Sequence, residues 1–151
     1  MYAVIRIRGK AGTRKDLEDT LRMLRLKNVN NCVIIPETKE YLGMLKKAKD
    51  YITWGKIDKK TLSKLLEKRC KILGNKSIDK ESLKDIGFDD FDKFSDALIK
   101  GKLNLKDLKN IKPIFRLNPP IHGYKATRLP YPKGSLGDRG EKINELLERM
   151  I

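Results

Sequence analysis

Two groups of side chains in this sequence have the types and spacing to do chemistry, and both are cationic. Residues 1–15 hold Arg6, Arg8, Lys10, Arg14 and Lys15 with no acid among them. Gly9 and Gly12 break this run, and a turn leading into a helix leaves N–H groups free to meet an anion. Two arginines on one strand face are costly to bury, and beside such a turn they form a guanidinium surface suited to phosphates. The second group lies in residues 112–139, KPIFRLNPPIHGYKATRLPYPKGSLGDR. It carries six Lys or Arg (Lys112, Arg116, Lys125, Arg128, Lys133, Arg139) against one acid, Asp138. Five of the six prolines fall here, so no long helix can run through. Phe115, His122, Tyr124 and Tyr131 sit between the charges. A segment this basic and irregular builds little core of its own and suits a polyanion whose shape it can follow.

Other chemistries find less support. The run 9–13 (GKAGT) superficially resembles a phosphate loop, but the Gly, four residues, Gly-Lys-Ser/Thr pattern is absent. The single histidine, His122, and the two distant cysteines, Cys32 and Cys70, do not make a zinc site of recognised spacing. His122 has no nucleophile signature nearby, and stacking on a base or donating to a phosphate suits it better. Asp85, Asp89, Asp90, Asp92 and Asp96 lack the alternating spacing of an EF-hand loop and read as a solvated acidic face. No catalytic residue, metal or cofactor is therefore expected. Trp54, beside Gly55, reads first as a core residue.

The charges are partitioned. The net charge is +15 over 151 residues, with 36% of residues charged and 39% hydrophobic. Residues 77–100 hold four Lys against seven Asp or Glu, whereas residues 101–139 hold nine basic groups against two acids. General solubilisation does not require such separation, whereas a specific docking face does. Cys32 lies in an apolar run and reads as core. The chain opens on the strand-like MYAVIRI rather than on a signal peptide, and no apolar run approaches the ~20 residues that span a bilayer. A reduced, cytosolic chain without disulfides is the expectation.

The elements that must position these residues follow from periodicity. Residues 2–8 alternate and predict a strand with Ala3, Ile5 and Ile7 on one face and Tyr2, Val4, Arg6 and Arg8 on the other. Thr13 and Asp16 suggest a capping box, opening a helix to about Leu26. A short strand at 32–35 ends at Pro36, a helix spans about 38–50, and a third strand occupies 51–54. The strand–helix–strand–helix–strand order resembles a ferredoxin-like unit. Asp58 and Asp79 are candidate N-caps of two further helices. Residues 113–117 suggest an edge strand, and residues 138–151 a last amphipathic helix with Ile143, Leu146, Leu147 and Met150 inward. The predicted class is α+β: a ferredoxin-like β-α-β-α-β core with a small, mainly antiparallel sheet, added helices, and an extended basic C-terminal arm ending in a helix. The predicted organisation is a core at 1–57, a helical section at 58–110, and edge strand, arm and final helix at 111–151, all in one compact unit.

Several stretches together resemble one family. YAVIRIRGKAGTRKDLEDTLRMLRLKNVNNCVII and DYITWGKID look like the core of the universal large-subunit ribosomal protein thirty, L-thirty in bacteria and archaea and L-seven in eukaryotes. FRLNPPIHGY and KGSLGDRGEKINELLERMI look like the extension of its archaeal and eukaryotic members, and GSLGDRGEKIN is the most specific part. Lacking a long basic N-terminal extension, the chain looks archaeal in type. The resemblance implies a non-enzymatic, cytoplasmic, ribosome-bound protein that binds large-subunit rRNA, with 5S rRNA a candidate neighbour alongside other ribosomal proteins. It implies no membrane and no small-molecule substrate. Its RNA-facing turn falls on Arg6, Arg8, Gly9, Lys10, Gly12, Arg14 and Lys15. Its arm falls on residues 116–139, with Arg116, Asn118, His122, Tyr124, Lys125, Arg128, Lys133, Ser135 and Arg139 as candidate contacts. A free RNA-binding module or assembly chaperone is the alternative; an RNA-processing enzyme using His122 with Arg128 or Lys125 has little support.

Overall fold

The structure, a computed structural model, describes residues 1–72, 74, 76–78, 83, 88, 90–101, 103, 105, 108 and 111–151. Three strands of five residues, β1 (Tyr2–Arg6), β2 (Asn31–Ile35) and β3 (Ile52–Lys56), make the centre of one sheet. Two short pieces, β4 (Phe115–Arg116) and β5 (Gly137–Asp138), complete its edges in the order β4-β2-β1-β3-β5. β1 is antiparallel to both neighbours, with Val4 opposite Val33 and Trp54, and β4 is antiparallel to β2. Among these described strands the β3–β5 pair is parallel. The ferredoxin-like α+β class and the mainly antiparallel sheet are those expected.

The sheet is apolar on both faces because helices cover both. Val4, Val33, Ile35, Ile52 and Trp54 pack under α1 (Lys15–Met23) and α2 (Lys39–Lys47), against Leu21, Leu24, Leu26, Leu45 and Ala48. Ala3, Ile5, Cys32 and Ile34 face the other way. They join Leu62, Leu65 and Leu66 of α3 (Lys59–Arg69), Phe94 and Leu98 of α4 (Phe91–Ile99), and Ile143, Leu146 and Leu147 of α5 (Ile143–Glu148). An antiparallel sheet with one wet face alternates apolar and polar residues; the CVII run of β2, buried throughout, reports two covered faces instead. Cys32 and Cys70 are both free and buried, and burial pushes each thiol up to about 12.

Local details depart from the expectations at element ends. The β1 ladder stops at Arg6 because the N–H groups of Ile7 and Arg8 both donate to Tyr51 O, at 2.9 and 3.1 Å. Two residues facing one acceptor bulge the strand and turn Arg8 away from its neighbours. Thr13 caps nothing: its Oγ1 donates back to Gly9 O at 3.5 Å, and Arg14 holds the N-cap position of α1 without a side-chain bond. Thr38 does cap α2, accepting from Tyr41 N at 3.5 Å. Asp58 stands at the N-cap of α3, but its side chain makes no capping bond. Its N–H donates instead to Asn144 Oδ1 at 3.0 Å, while Asn144 Nδ2 donates to Lys56 O and Glu141 O. Asp79, Asp85 and Asp89 lie outside the described residues.

Gly55 is the narrowest point between the sheet and the C-terminal segment. A Cβ there would stand 2.0 Å from Gly140 O and 2.9 Å from Ile143 Cβ. The 3-10 turn Gly140–Lys142 is therefore seated directly on β3. Gly55→Ala is expected to destabilise the protein by about 2 kcal/mol through overpacking. That loss corresponds to a fall in Tm of roughly 4–8 °C for a chain this size, readable by calorimetry. An unchanged Tm would mean that the C-terminal segment docks more loosely than the contact indicates.

Candidate nucleic-acid interface

Arg6 does not belong to a solvent surface. It is 1% exposed, under the connection from α1 to β2. Its Nη1 donates to Leu26 O at 2.8 Å and Lys27 O at 3.0 Å, and its Nε to Arg8 O at 2.8 Å. The Leu26 and Lys27 carbonyls lie beyond the last turn of α1 and need donors once buried, which is the physical reason an arginine is tolerated there. Its Nη2 has no partner among the described residues. Burial lowers the Arg6 pKa, and Glu18 opposes that shift. The expectation of two arginines sharing one exposed face is thus corrected: the sheet covering takes Arg6, and the bulge releases Arg8. Arg8, half-buried, lies over the Tyr51 ring at 4.9 Å and reaches Asp50 O at 3.3 Å.

Beyond the bulge, Gly9, Lys10, Gly12, Arg14 and Lys15 are all exposed. The turn is closed by Thr13 N donating to Lys10 O at 3.1 Å. Among the described residues its cations make open ion pairs, Lys10 with Glu18 at 3.6 Å and Arg14 with Asp16 at 3.3 Å. Pairs of this kind are worth about 0–1 kcal/mol, so a phosphate can replace the carboxylate at little loss. Asp16 and Glu18 already complement the N-terminus of α1, which makes the turn, more than the helix end, the place for an anion.

The basic arm is tied at both ends instead of trailing free. Leu117 N donates to Asn30 O, Asn118 N to Met150 O, and Ile121 N to Arg149 O. The Arg149 guanidinium returns bonds to Ile121 O and Gly123 O. Tyr124 Oη donates to Asn30 Oδ1 at 2.7 Å, and burial pushes its pKa up to about 12. At the far end Thr53 Oγ1 donates to Gly137 O at 2.8 Å, and Arg139 Nε donates to Thr53 Oγ1 at 3.1 Å. Arg116, Asn118, His122, Lys125, Arg128 and Lys133 are exposed, whereas Tyr124 and Arg139 are half-buried. Ser135 is 1% exposed and lies inside the fold of the arm.

Strand direction brings the two basic groups together. The turn leaves β1 after Arg6, which pairs with Ile52 at the start of β3. The arm leaves β4 after Arg116, which pairs with Asn31 at the start of β2, and re-enters at Gly137 opposite Thr53. All these points lie at one end of the sheet. Asn30 joins them, its N–H donating to Arg6 O and its O accepting from Leu117 N. Asn30 and Arg149 were missed as clips between turn, arm and final helix. Asn30 takes φ 62°, a left-handed conformation that asparagine tolerates. The described acids of the middle section, Asp90, Asp92 and Asp96, belong to α4 and its N-cap on the covered Ala3–Ile5 face, with Asp96 2.6 Å from Lys59. Among the described residues no helix is long and apolar enough to cross a membrane.

The family described as Ribosomal protein L30p/L7e matches residues 2–52, the span of β1 through the start of β3. The chain is 44% identical over 152 residues to large ribosomal subunit protein uL30 of Methanocorpusculum labreanum, covering 99% of both chains. It is 49% identical over 154 residues to the uL30 of Nanoarchaeum equitans, covering 100% of this chain and 99% of the relative. The uL30 of Thermoplasma volcanium is 45% identical over 153 residues.

The contrast between the two arginines is measurable by denaturant unfolding. Arg6→Lys leaves at least two carbonyls without their donor and is expected to cost about 2–3 kcal/mol, against about 0.5–1 kcal/mol for Arg8→Ala. Equal losses would show that Arg6 is not the buried clip described. For Tyr124 the sign follows from its raised pKa. The unfolded phenol ionises near 10 while the folded one stays neutral to about 12. The stability advantage of the wild type over Tyr124→Phe is therefore complete below pH 10 and shrinks as pH rises towards 12. A constant difference across that window would contradict the buried hydrogen bond.

Proposed function

The chain belongs to the ribosomal protein L30p/L7e family, and from that premise we propose that one end of its sheet is the face it turns towards rRNA. The protein is a structural constituent of the large ribosomal subunit and not an enzyme. Its function is binding, by neutralising phosphates and fitting RNA shape. The observation that carries the reading is the convergence of the Gly9–Lys15 turn and the 117–136 arm at the same end of the sheet.

Lys10, Arg14, Lys15, Arg116, Lys125, Arg128 and Lys133 are exposed there, so they can meet phosphates without first giving up a buried partner. Each phosphate neutralised releases counterion, which drives association and makes it salt-dependent. Gly9 and Gly12 let the RNA backbone approach closely, while His122, exposed at φ 65°, offers a ring for an unstacked base. Arg6 supports the face from below by holding the α1–β2 connection. In this reading residues 1–57 and 111–151 supply the RNA face, while α3 and α4 cover the Ala3–Ile5 face of the sheet. Large-subunit rRNA is the partner, 5S rRNA is a candidate for the shape-matched portion, and cytoplasmic residence follows from the ribosome.

The test is a salt titration of the full chain binding to large-subunit rRNA. Replacing Lys10, Arg14 and Lys15 with Gln, or Arg128 and Lys133 with Gln, is expected to flatten the log K against log [salt] slope by roughly 0.7–0.9 per lost phosphate contact. Lys60→Gln and Lys68→Gln, on exposed positions of α3, are expected to leave it unchanged. If the α3 changes flatten the slope as much as the turn and arm changes, the assigned face is wrong.

A further inference from the structure

Where the arm folds back over α5 it encloses a cleft of about 310 Å³. We propose that this cleft is a pocket for one extruded nucleotide of RNA, a specific subsite that rests on the RNA-binding reading above and goes beyond general phosphate neutralisation. Three cations line it, Lys125, Arg139 and Arg149, and no carboxylate does. Its occupant is therefore anionic. Its volume sits at the lower end of the ~300–1,000 Å³ of small-ligand sites, suited to one nucleotide and too small for a duplex.

The chemistry of the walls separates a nucleotide from a bare phosphate. Tyr131 lines the cleft, and the Arg139 guanidinium lies over its ring at 5.1 Å. Such a planar pair is the surface on which unstacked bases are held. Arg139 uses Nε on Thr53 Oγ1, and among the described residues its two terminal nitrogens make no hydrogen bond. Burial already lowers its pKa, and a phosphate would complete it. Arg149 is occupied by the carbonyls of Ile121 and Gly123, so it shapes the rim and contributes charge without needing to move.

Ser135 is the second, independent mark. It lines the cleft at 1% exposure, and its Oγ has no hydrogen-bond partner among the described residues. A buried hydroxyl left unpaired is unusual, and here it can both donate to and accept from a base edge or a ribose 2′-OH. Its position is held firmly. Ser135 N donates to Ala126 O at 2.8 Å, and the preceding Gly134 is packed so tightly that a Cβ would stand 2.1 Å from Leu129 O. Charge, a planar wall and an unpaired hydroxyl thus converge on one enclosed space.

The test uses the full chain and fluorescein-labelled single-stranded RNA pentanucleotides, either intact or abasic at the central position. Anisotropy is expected to show the intact RNA binding roughly tenfold tighter than the abasic one, the scale of one base stack. Tyr131→Leu is expected to abolish that difference and Ser135→Ala to reduce it about threefold, on the order of one hydrogen bond. Lys10→Gln should weaken both RNAs equally. As a readout without mutation, a 4-thiouridine at the central position is expected to crosslink to the segment carrying Tyr131. Equal binding of intact and abasic RNA, or a difference that survives Tyr131→Leu in a variant of unchanged Tm, overturns the pocket. If large-subunit rRNA still binds under those outcomes, only the pocket falls. If the wild-type chain fails to bind that rRNA at all, the underlying reading falls with it.

Discussion

Because β1 is paired along both edges and covered on both faces, its side chains from Ala3 to Arg6 are buried, and charge on it has only two outcomes. Arg6 is neutralised in place by backbone carbonyls of the α1–β2 connection. Arg8 escapes because two consecutive N–H groups share Tyr51 O and bulge the strand outward. The same double covering excludes the open sheet face through which a smaller ferredoxin-like domain can meet a ligand. Binding groups are therefore gathered at the end of the sheet, where strands stop and connections begin.

The end of the sheet would be a loose cluster of loops without polar clips. Asn30 joins Arg6, Leu117 and Tyr124 through its backbone and side chain, and the Arg149 guanidinium holds the carbonyls of Ile121 and Gly123, while at the other end of β3 the Asn144 side chain ties Lys56 and Asp58 to Glu141. Each holds groups that would otherwise be left unpaired or frayed, so one residue fixes more than one stretch of chain. Exposed ion pairs around the turn contribute far less and leave their cations available. Rigidity comes from the buried polar contacts and adaptability from the exposed ones. That division suits a protein that must present a fixed shape to folded RNA while exchanging its counterions for phosphates.

Much of this was legible in the sequence because it depends on local pattern. The apolar run of β2 and the inward set Ile143, Leu146, Leu147 and Met150 report burial directly, and Pro36 marks where β2 stops. Pro113 foretold an edge strand, and β4 lies at the edge. What misled was chemistry that depends on what lies opposite. Thr13 has the capping-box spacing, yet its hydroxyl turns back to Gly9 O. Arg6 looks like a surface cation, yet unpaired carbonyls 20 residues away make burial favourable.

The sequence by itself determined the elements, their apolar faces, the separation of basic from acidic segments and the tail motif that marks the family, since each is written in neighbouring residues. Only the tertiary structure decided which basic residues share a surface, because that depends on strand register and on which end of the sheet each connection leaves. It also decided that the 117–136 segment folds over α5 and encloses Ser135. No local signal in GYKATRLPYPKGSLGD specifies that, since the partners are the Asn30 side-chain oxygen, the Thr53 hydroxyl and the Arg149 guanidinium.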